Sequence, residues 1–101
     1  MTRVIKVGGR PQADPNLPGL LAQRHHHHRG ELVVVHGGGD EISDLQKHYG
    51  LTPRFIDGWR VTSPQDINIV RMVLSGIANK RIVSGLNACG VNAVGVSRFE
   101  L

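Results

Sequence analysis

Two segments of this chain follow one pattern, and they constrain its fold more than any other feature. Val4-Ile5-Lys6-Val7 and Val33-Val34-Val35-His36 are strand-like, β-branched runs that lead directly into glycines: Gly8-Gly9 after the first, Gly37-Gly38-Gly39 after the second. The second continues an apolar run from Leu32, which suits a parallel strand covered on both faces. In an open parallel sheet, ligands bind beyond the carboxyl ends of the strands. If these strands are neighbours, the glycine loops face one another across one crevice. Glycine lets backbone N–H groups approach an anion with no Cβ in the way. A helix opening after the second loop, with Asp40 as its expected N-cap, adds a dipole favourable to negative charge.

The rest of the chain supplies the elements such a sheet needs. The first strand is expected over residues 2–7 and the second over 31–36. Between them, residues 10–18 hold three prolines and an asparagine and read as a loop. A short helix is expected over 17–23, with Pro18 tolerated in its first turn. After Asp40, the positions Ile42, Leu45 and Tyr49 mark one helix face, and Gly50 is a good C′ residue with Leu51 as its apolar partner. Residues 54–61 suggest a small hairpin around a Gly58-Trp59 turn. Ser63-Pro64-Gln65-Asp66 is the strongest helix start, a cap and capping-box pair with proline at the first helical position.

That last helix is expected to run over 64–88. Ile67, Val70, Leu74 and Ala78 form one stripe, and Ile69, Val73, Ile77 and Lys80 an adjacent one. The apolar arc is wider than a one-sided surface helix needs. Gly76 and Gly85 each cost about 1 kcal/mol relative to alanine in a helix interior, which suggests close packing at both. Residues 91–96 read as a third long strand with no helix after it. The order is strand, helix, strand, helix, hairpin, long helix, strand, an α/β pattern with parallel crossovers.

Composition narrows the function classes. The chain has 101 residues, room for one domain. Its net charge is +4, with nine arginines among twelve basic residues. These are scattered singly, with no aromatic residues interleaved as a stacking platform, which disfavours nucleic-acid binding and leaves an anionic small molecule as the better partner. No apolar run approaches the roughly 20 residues that span a bilayer, and the N-terminus enters a strand-like run without a secretory core. Cys89 is the only cysteine, so no internal disulfide is possible. A cytoplasmic protein is the expectation.

Lys6 stands at the end of the first strand, where an ammonium could neutralise a transferring phosphoryl group. The alternative is a surface lysine beside plain turns. No Walker A and no Rossmann fingerprint is present. Arg60 follows the hairpin turn; it is either a fork for a carboxylate or a solvated hairpin arginine. Asn79 reads as a packing residue or a tether to a neighbouring loop. His25-His26-His27-His28 suggests an exposed loop or an engineered sequence rather than a metal site, because consecutive residues do not project to one side. His36 is expected to orient the glycine loop. Cys89 is expected to be a small buried hydrophobe.

Five elements occur in series: Ile5-Lys6-Val7-Gly8-Gly9, Val34-Val35-His36-Gly37-Gly38-Gly39, Gly58-Trp59-Arg60-Val61-Thr62, Gly76-Ile77-Ala78-Asn79-Lys80 and Ala93-Val94-Gly95-Val96. Together they resemble the N-terminal part of the acetylglutamate kinases, within the amino acid kinase family. The Gly-x-Arg-Val-Thr and Asn-Lys elements point to that group rather than to carbamate or uridylate kinases. The resemblance implies a three-layer α/β/α fold with a mainly parallel sheet. Residues 1–101 would be its N-terminal, substrate-binding and dimerising part.

The implied activity is transfer of the ATP γ-phosphoryl group to the side-chain carboxylate of N-acetylglutamate or a related acylated amino acid, in arginine or lysine biosynthesis, with ATP and Mg²⁺ as cofactors. By motif match, Lys6 would stabilise the transferring phosphoryl group. Gly8 and Gly9 would bind phosphate; Gly37, Gly38 and Arg60 would bind substrate. The helix over 64–88 would form a homo-oligomer interface. The family's catalytic aspartate, second phosphate-binding lysine and nucleotide-binding lobe have no counterpart in these residues. Ser97-Arg98-Phe99-Glu100-Leu101 stands where the family has a Gly-Asp-Gly-like turn. These 101 residues alone are therefore expected not to catalyse transfer. The competing reading is a non-catalytic α/β module that binds anions and dimerises.

Overall fold

The computed structural model describes residues 1–28 and 30–97. Arg29 and residues 98–101, with the departure from the family turn noted there, lie outside the described residues. Strand β1 (Arg3–Val7) leads through a 3₁₀ turn (Pro11–Ala13) into helix α1 (Leu17–His27) and strand β2 (Leu32–His36). Helix α2 (Gly39–His48) follows, then a hairpin of β3 (Phe55–Ile56) and β4 (Trp59–Arg60). A continuous helical body closes the order: α3 (Asp66–Arg71), a π-helical segment (Met72–Ala78) and α4 (Asn79–Ala88).

Strands β1 and β2 pair in parallel, with Ile5 opposite Val34 and Lys6 opposite Val35. Successive side chains alternate between sheet faces. Ile5 and Val34 join Leu21, Ala22, Ile82, Leu86 and Val91 in one core between sheet, α1 and α4. On the other face Val4, Val33 and Val35 are exposed. Among the described residues, then, helices cover one sheet face only, and a third layer is not part of them. A second core of Ile42, Ile69 and Val73, with Leu45, Leu51, Val70 and Leu74 against it, joins α2 to α3 and the π segment.

Most local expectations hold. The hairpin forms as expected, but its turn lies one residue earlier than expected: Asp57 and Gly58 are both at positive φ, as a two-residue type I′ turn requires, and Trp59 opens β4. Gly50 and Gly90 end α2 and α4 at positive φ. In each, the next residue's N–H bonds back six-to-one, Leu51 to Gln46 and Val91 to Leu86, closing Schellman turns. At the start of α3, the Ser63 Oγ accepts from the Asp66 N–H at 3.2 Å while the Asp66 carboxylate accepts from the Ser63 N–H at 3.1 Å. This is the reciprocal capping box read from the sequence.

Five other expectations need correction. Helix α1 does not stop at residue 23; it continues through His27, so three of the four histidines are helical. Arg24 and the imidazoles in its last turn suit the negative end of the helix dipole. Residues 91–97 form no strand among the described residues. They lie over α4 instead, where Asn87 takes over the pairing of the Ala93 backbone: its Oδ1 accepts the N–H at 3.0 Å and its Nδ2 donates to the carbonyl. Tyr49 is exposed because it stands beyond the last turn of α2, and Leu51 fills the apolar place expected of it. Cys89 is exposed, because the turn after α4 passes the core from Leu86 directly to Val91. Gly85 does pack closely, against Pro18, but a Cβ at Gly76 would meet open space.

Candidate functional site

The two glycine loops meet at the carboxyl ends of β1 and β2. A Cβ placed on Gly9 would stand 3.2 Å from the Gly39 nitrogen and 3.6 Å from the Gly38 nitrogen. A Cβ on Gly37 would lie 3.7 Å from the Gly9 nitrogen. The backbones approach so closely that side chains here would fill the space between them. The facing arrangement expected from the shared strand-then-glycine pattern is present.

Donors in these loops divide into two sets. The Gly37 N–H continues the ladder, donating to the Val7 carbonyl at 3.3 Å. The amides of Gly8, Gly9 and Gly38 donate to no acceptor among the described residues. The first turn of α2 lies directly behind Gly38, and unpaired backbone amides beside a helix start are donors of the kind an anion takes. Asp40 is not the N-cap. Helix α2 begins at Gly39 with Gly38 in the cap position, and the Asp40 carboxylate accepts from Arg10 Nε at 2.7 Å. That contact ties the segment after the first glycine loop to the segment after the second.

A less exposed cluster reinforces the tie. Gln12 is almost fully buried and donates through Nε2 to Glu41 Oε1 at 2.5 Å. Arg81 on α4 donates to both Glu41 oxygens, at 2.6 and 3.3 Å, and to Gln12 Oε1 at 2.6 Å. The Arg81 bonds, helped by Gln12, hold the Glu41 carboxyl below its ordinary range, against an opposing push from burial. Glycine loop, α2 and α4 are thus locked by one charge-assisted knot.

Arg60 comes to the same end of the molecule. Its Nη1 donates to Gln46 Oε1 at 2.7 Å, and its Nη2 donates to the Gly39 carbonyl at 2.9 Å and Ser43 Oγ at 3.0 Å. The guanidinium also lies 4.7 Å from the centre of the Phe55 ring. Arg60 is therefore held against α2 rather than solvated on its hairpin. Gln46, fully buried, passes the chain onward by donating to Asp66 Oδ1 at 3.0 Å. Ser63 and then Gln46 lower the Asp66 pKa by hydrogen bonding to the carboxylate.

Lys6 is exposed on the open sheet face beside Val35, separated from Gly8 by Val7. It makes no hydrogen bond or ion pair among the described residues. Asn79 does tether a loop: its Nδ2 lies 3.2 Å from His36 Nε2, and His36 Nδ1 lies 3.0 Å from the Gly37 carbonyl oxygen. A cavity of about 310 Å³ lies elsewhere, between β2, α4 and residues 91–96, and is mainly apolar in its lining. The described residues include no group of three His, Cys, Asp or Glu side chains that could hold a metal ion.

The whole chain, residues 1–101, matches the model of the amino acid kinase family. It belongs to that family. It is 46% identical over 98 residues to the acetylglutamate kinase of Chloroflexus aurantiacus, covering 97% of this chain and 39% of that protein. It is 41% identical over 101 residues to the acetylglutamate kinase of Oceanobacillus iheyensis, covering 98% of this chain and 38% of that one. The chain thus spans less than two-fifths of these relatives and corresponds to their N-terminal part. Among solved structures it is similar to smu.665 from Streptococcus mutans UA159, with a TM-score of 0.71 and 28% identity over 89% of this chain and 37% of that one. It is also similar to the N-acetylglutamate synthase from Neisseria gonorrhoeae, with a TM-score of 0.57 and 26% identity over 96% of this chain and 22% of that one.

Proposed function

We propose that these residues form the substrate- and phosphate-binding part of an acetylglutamate kinase, which transfers the ATP γ-phosphoryl group to the side-chain carboxylate of N-acetylglutamate. The observation that carries this reading is the pair of facing glycine loops, with unsatisfied amides beside the first turn of α2. Phosphoryl transfer needs positioning and charge neutralisation more than covalent chemistry. In this reading Lys6 stabilises the transferring group, and Gly8 and Gly9 cradle phosphate. Gly37, Gly38 and Arg60 hold the substrate. Arg60 does so from a guanidinium already fixed by Gln46, Ser43 and the Gly39 carbonyl, which lowers the cost of ordering it.

The described residues suit the phosphate part of ATP and do not suit Mg²⁺. Asp40 and Glu41, the carboxylates beside the second loop, are engaged by Arg10 and Arg81. No step here runs through the metal, and residues 1–101 alone are proposed to bind without catalysing transfer. The exposed Met72 and Ile77 on the long helix fit a homo-oligomer contact. No helix among the described residues is long and apolar enough to cross a membrane, which accords with the proposed cytoplasmic location.

Calorimetric titration with N-acetyl-L-glutamate tests the reading. The wild-type chain should bind. Arg60→Lys should weaken binding by about 1.5–3 kcal/mol, the scale of a hydrogen bond to a charged group, with the circular dichroism spectrum retained. No heat from the wild type, or unchanged affinity in the variant, refutes the assignment. Substrate-dependent ADP release by the chain, abolished in Lys6→Ala, would overturn the proposed lack of catalysis.

A further inference from the structure

We infer that Asn79 and His36 are positioning residues that aim the Gly38 amide into the crevice between the two glycine loops. The inference rests on the anion-binding role proposed above for those loops.

The argument starts at Lys80. Its ammonium can only donate, and it lies 3.0 Å from Asn79 Oδ1. That contact fixes which way the Asn79 amide faces, leaving Nδ2 toward His36. Nδ2 is a donor only, so His36 Nε2 must accept. The Gly37 carbonyl is an acceptor only, so His36 Nδ1 must carry the proton. One neutral tautomer satisfies every partner in the chain from Lys80 through Asn79 and His36 to Gly37.

The carbonyl of Gly37 and the N–H of Gly38 belong to one planar trans peptide, so they point in opposite directions. Pinning the carbonyl to the imidazole turns the N–H away from it. The Gly38 nitrogen lies on the crevice side, 3.6 Å from where a Cβ on Gly9 would stand. The Gly37 N–H is itself held by Val7. Gly37 is thereby fixed at both its polar groups, and the amide of Gly38 joins those of Gly8 and Gly9 as a donor left for an anion. Asn79 is nearly buried, only 8% exposed, so little water competes for its amide. The arrangement explains why an asparagine sits inside a long helix, where its propensity is poor.

Long-range ¹H–¹⁵N spectra of the chain at alkaline pH test the tautomer directly. Protonation at His36 Nδ1 is expected; protonation at Nε2 overturns the inference. His36→Asn places a donor near the Nδ1 position, whereas His36→Gln reaches only the Nε2 side. His36→Asn should therefore keep N-acetyl-L-glutamate affinity within about threefold, and His36→Gln should lose about tenfold or more. The Gly38 amide resonance should shift in His36→Gln and stay in place in His36→Asn. Equal behaviour of the two variants, in affinity or in the Gly38 resonance, refutes positioning through Nδ1. A wild-type chain that binds no N-acetyl-L-glutamate refutes the kinase reading instead; the tautomer and the Gly38 resonance in the same samples still decide the role of His36.

Discussion

Gly85 offers the sharpest test of how the helices seat the sheet. It lies inside α4, facing α1. A Cβ there would stand 2.5 Å from Pro18 Cγ and 2.8 Å from Pro18 Cβ. Ordinary contact is about 3.5–4.0 Å, so Gly85→Ala forces the helices apart by about 1 Å or strains a ring whose only freedom is a small change of pucker. Inserting a methyl into a packed contact costs about 1–3 kcal/mol. Removing a helix-interior glycine returns about 1 kcal/mol. The net expectation is a loss of up to about 2 kcal/mol, and each kcal/mol lost lowers the melting temperature by about 4–8 °C in a domain of this size. Gly76 is the control: a Cβ there meets nothing, so Gly76→Ala should gain about 0.5–1 kcal/mol. Thermal and urea unfolding of both variants measure this, and Pro18→Ala completes a double-mutant cycle. A Gly85→Ala chain as stable as Gly76→Ala, or no coupling between positions 18 and 85, would refute the α1–α4 packing described here.

Two other expectations follow from the polar network. Gln46→Leu removes the acceptor buried against the Arg60 guanidinium and should cost about 1–3 kcal/mol in urea unfolding, the scale of an abandoned buried partner; an unchanged midpoint would show that the network holds nothing. Glu41 has a depressed pKa in the folded chain relative to its ordinary 4.5. The folded state therefore binds fewer protons than the unfolded one, and the stability contributed by Glu41 is fully present above 4.5 and lost as pH falls through the folded value. Asp66 acts in the same direction at low pH, so the comparison is with Glu41→Gln, whose urea midpoint should fall less steeply on acidification; parallel slopes would refute the role of the Arg81 pairing.

What was legible in the sequence was local. A strand that runs into glycines, a capping box at Ser63 and Asp66, and Gly50 as a helix stop each place cause and effect within a few residues. The facing of the loops followed from topology alone, because parallel neighbours put their carboxyl ends on one side. The polar side chains that hold the site were illegible for the opposite reason. Gln46 sits in a run of polar residues with nothing to mark it as buried, and its partners are 14 and 20 residues away in sequence. Gln12, Glu41 and Arg81 come from three separate elements. Residues 91–96 failed as a strand because an apolar β-branched run states only a preference; the ladder needs a neighbour. The histidine run misled in the same way, since composition gave no signal that α1 would carry on into it.

The π segment connects the packing to the site. Ile69, Val73, Ala78, Ile82 and Leu86 are the buried apolar positions along the helical body. Their spacing is four, five, four and four residues, and the odd step falls within Met72–Ala78. Across it the Asn79 N–H reaches back five residues to the Leu74 carbonyl. An uninterrupted α-helix would carry the stripe from Val73 to Ile77, as the sequence periodicity suggested, yet Ile77 is 45% exposed and Ala78 is fully buried. One extra residue in the turn advances every later position by about 100° around the axis. In α-helical phase Ala78 would occupy the place facing His36, and Asn79 would be turned away from it. The wide turn costs the body some hydrogen-bond geometry, and π turns recur at functional sites. Here it sets a small alanine where Gly38 packs, 3.8 Å from a Cβ on that glycine, and brings the asparagine amide to the histidine that holds the loop.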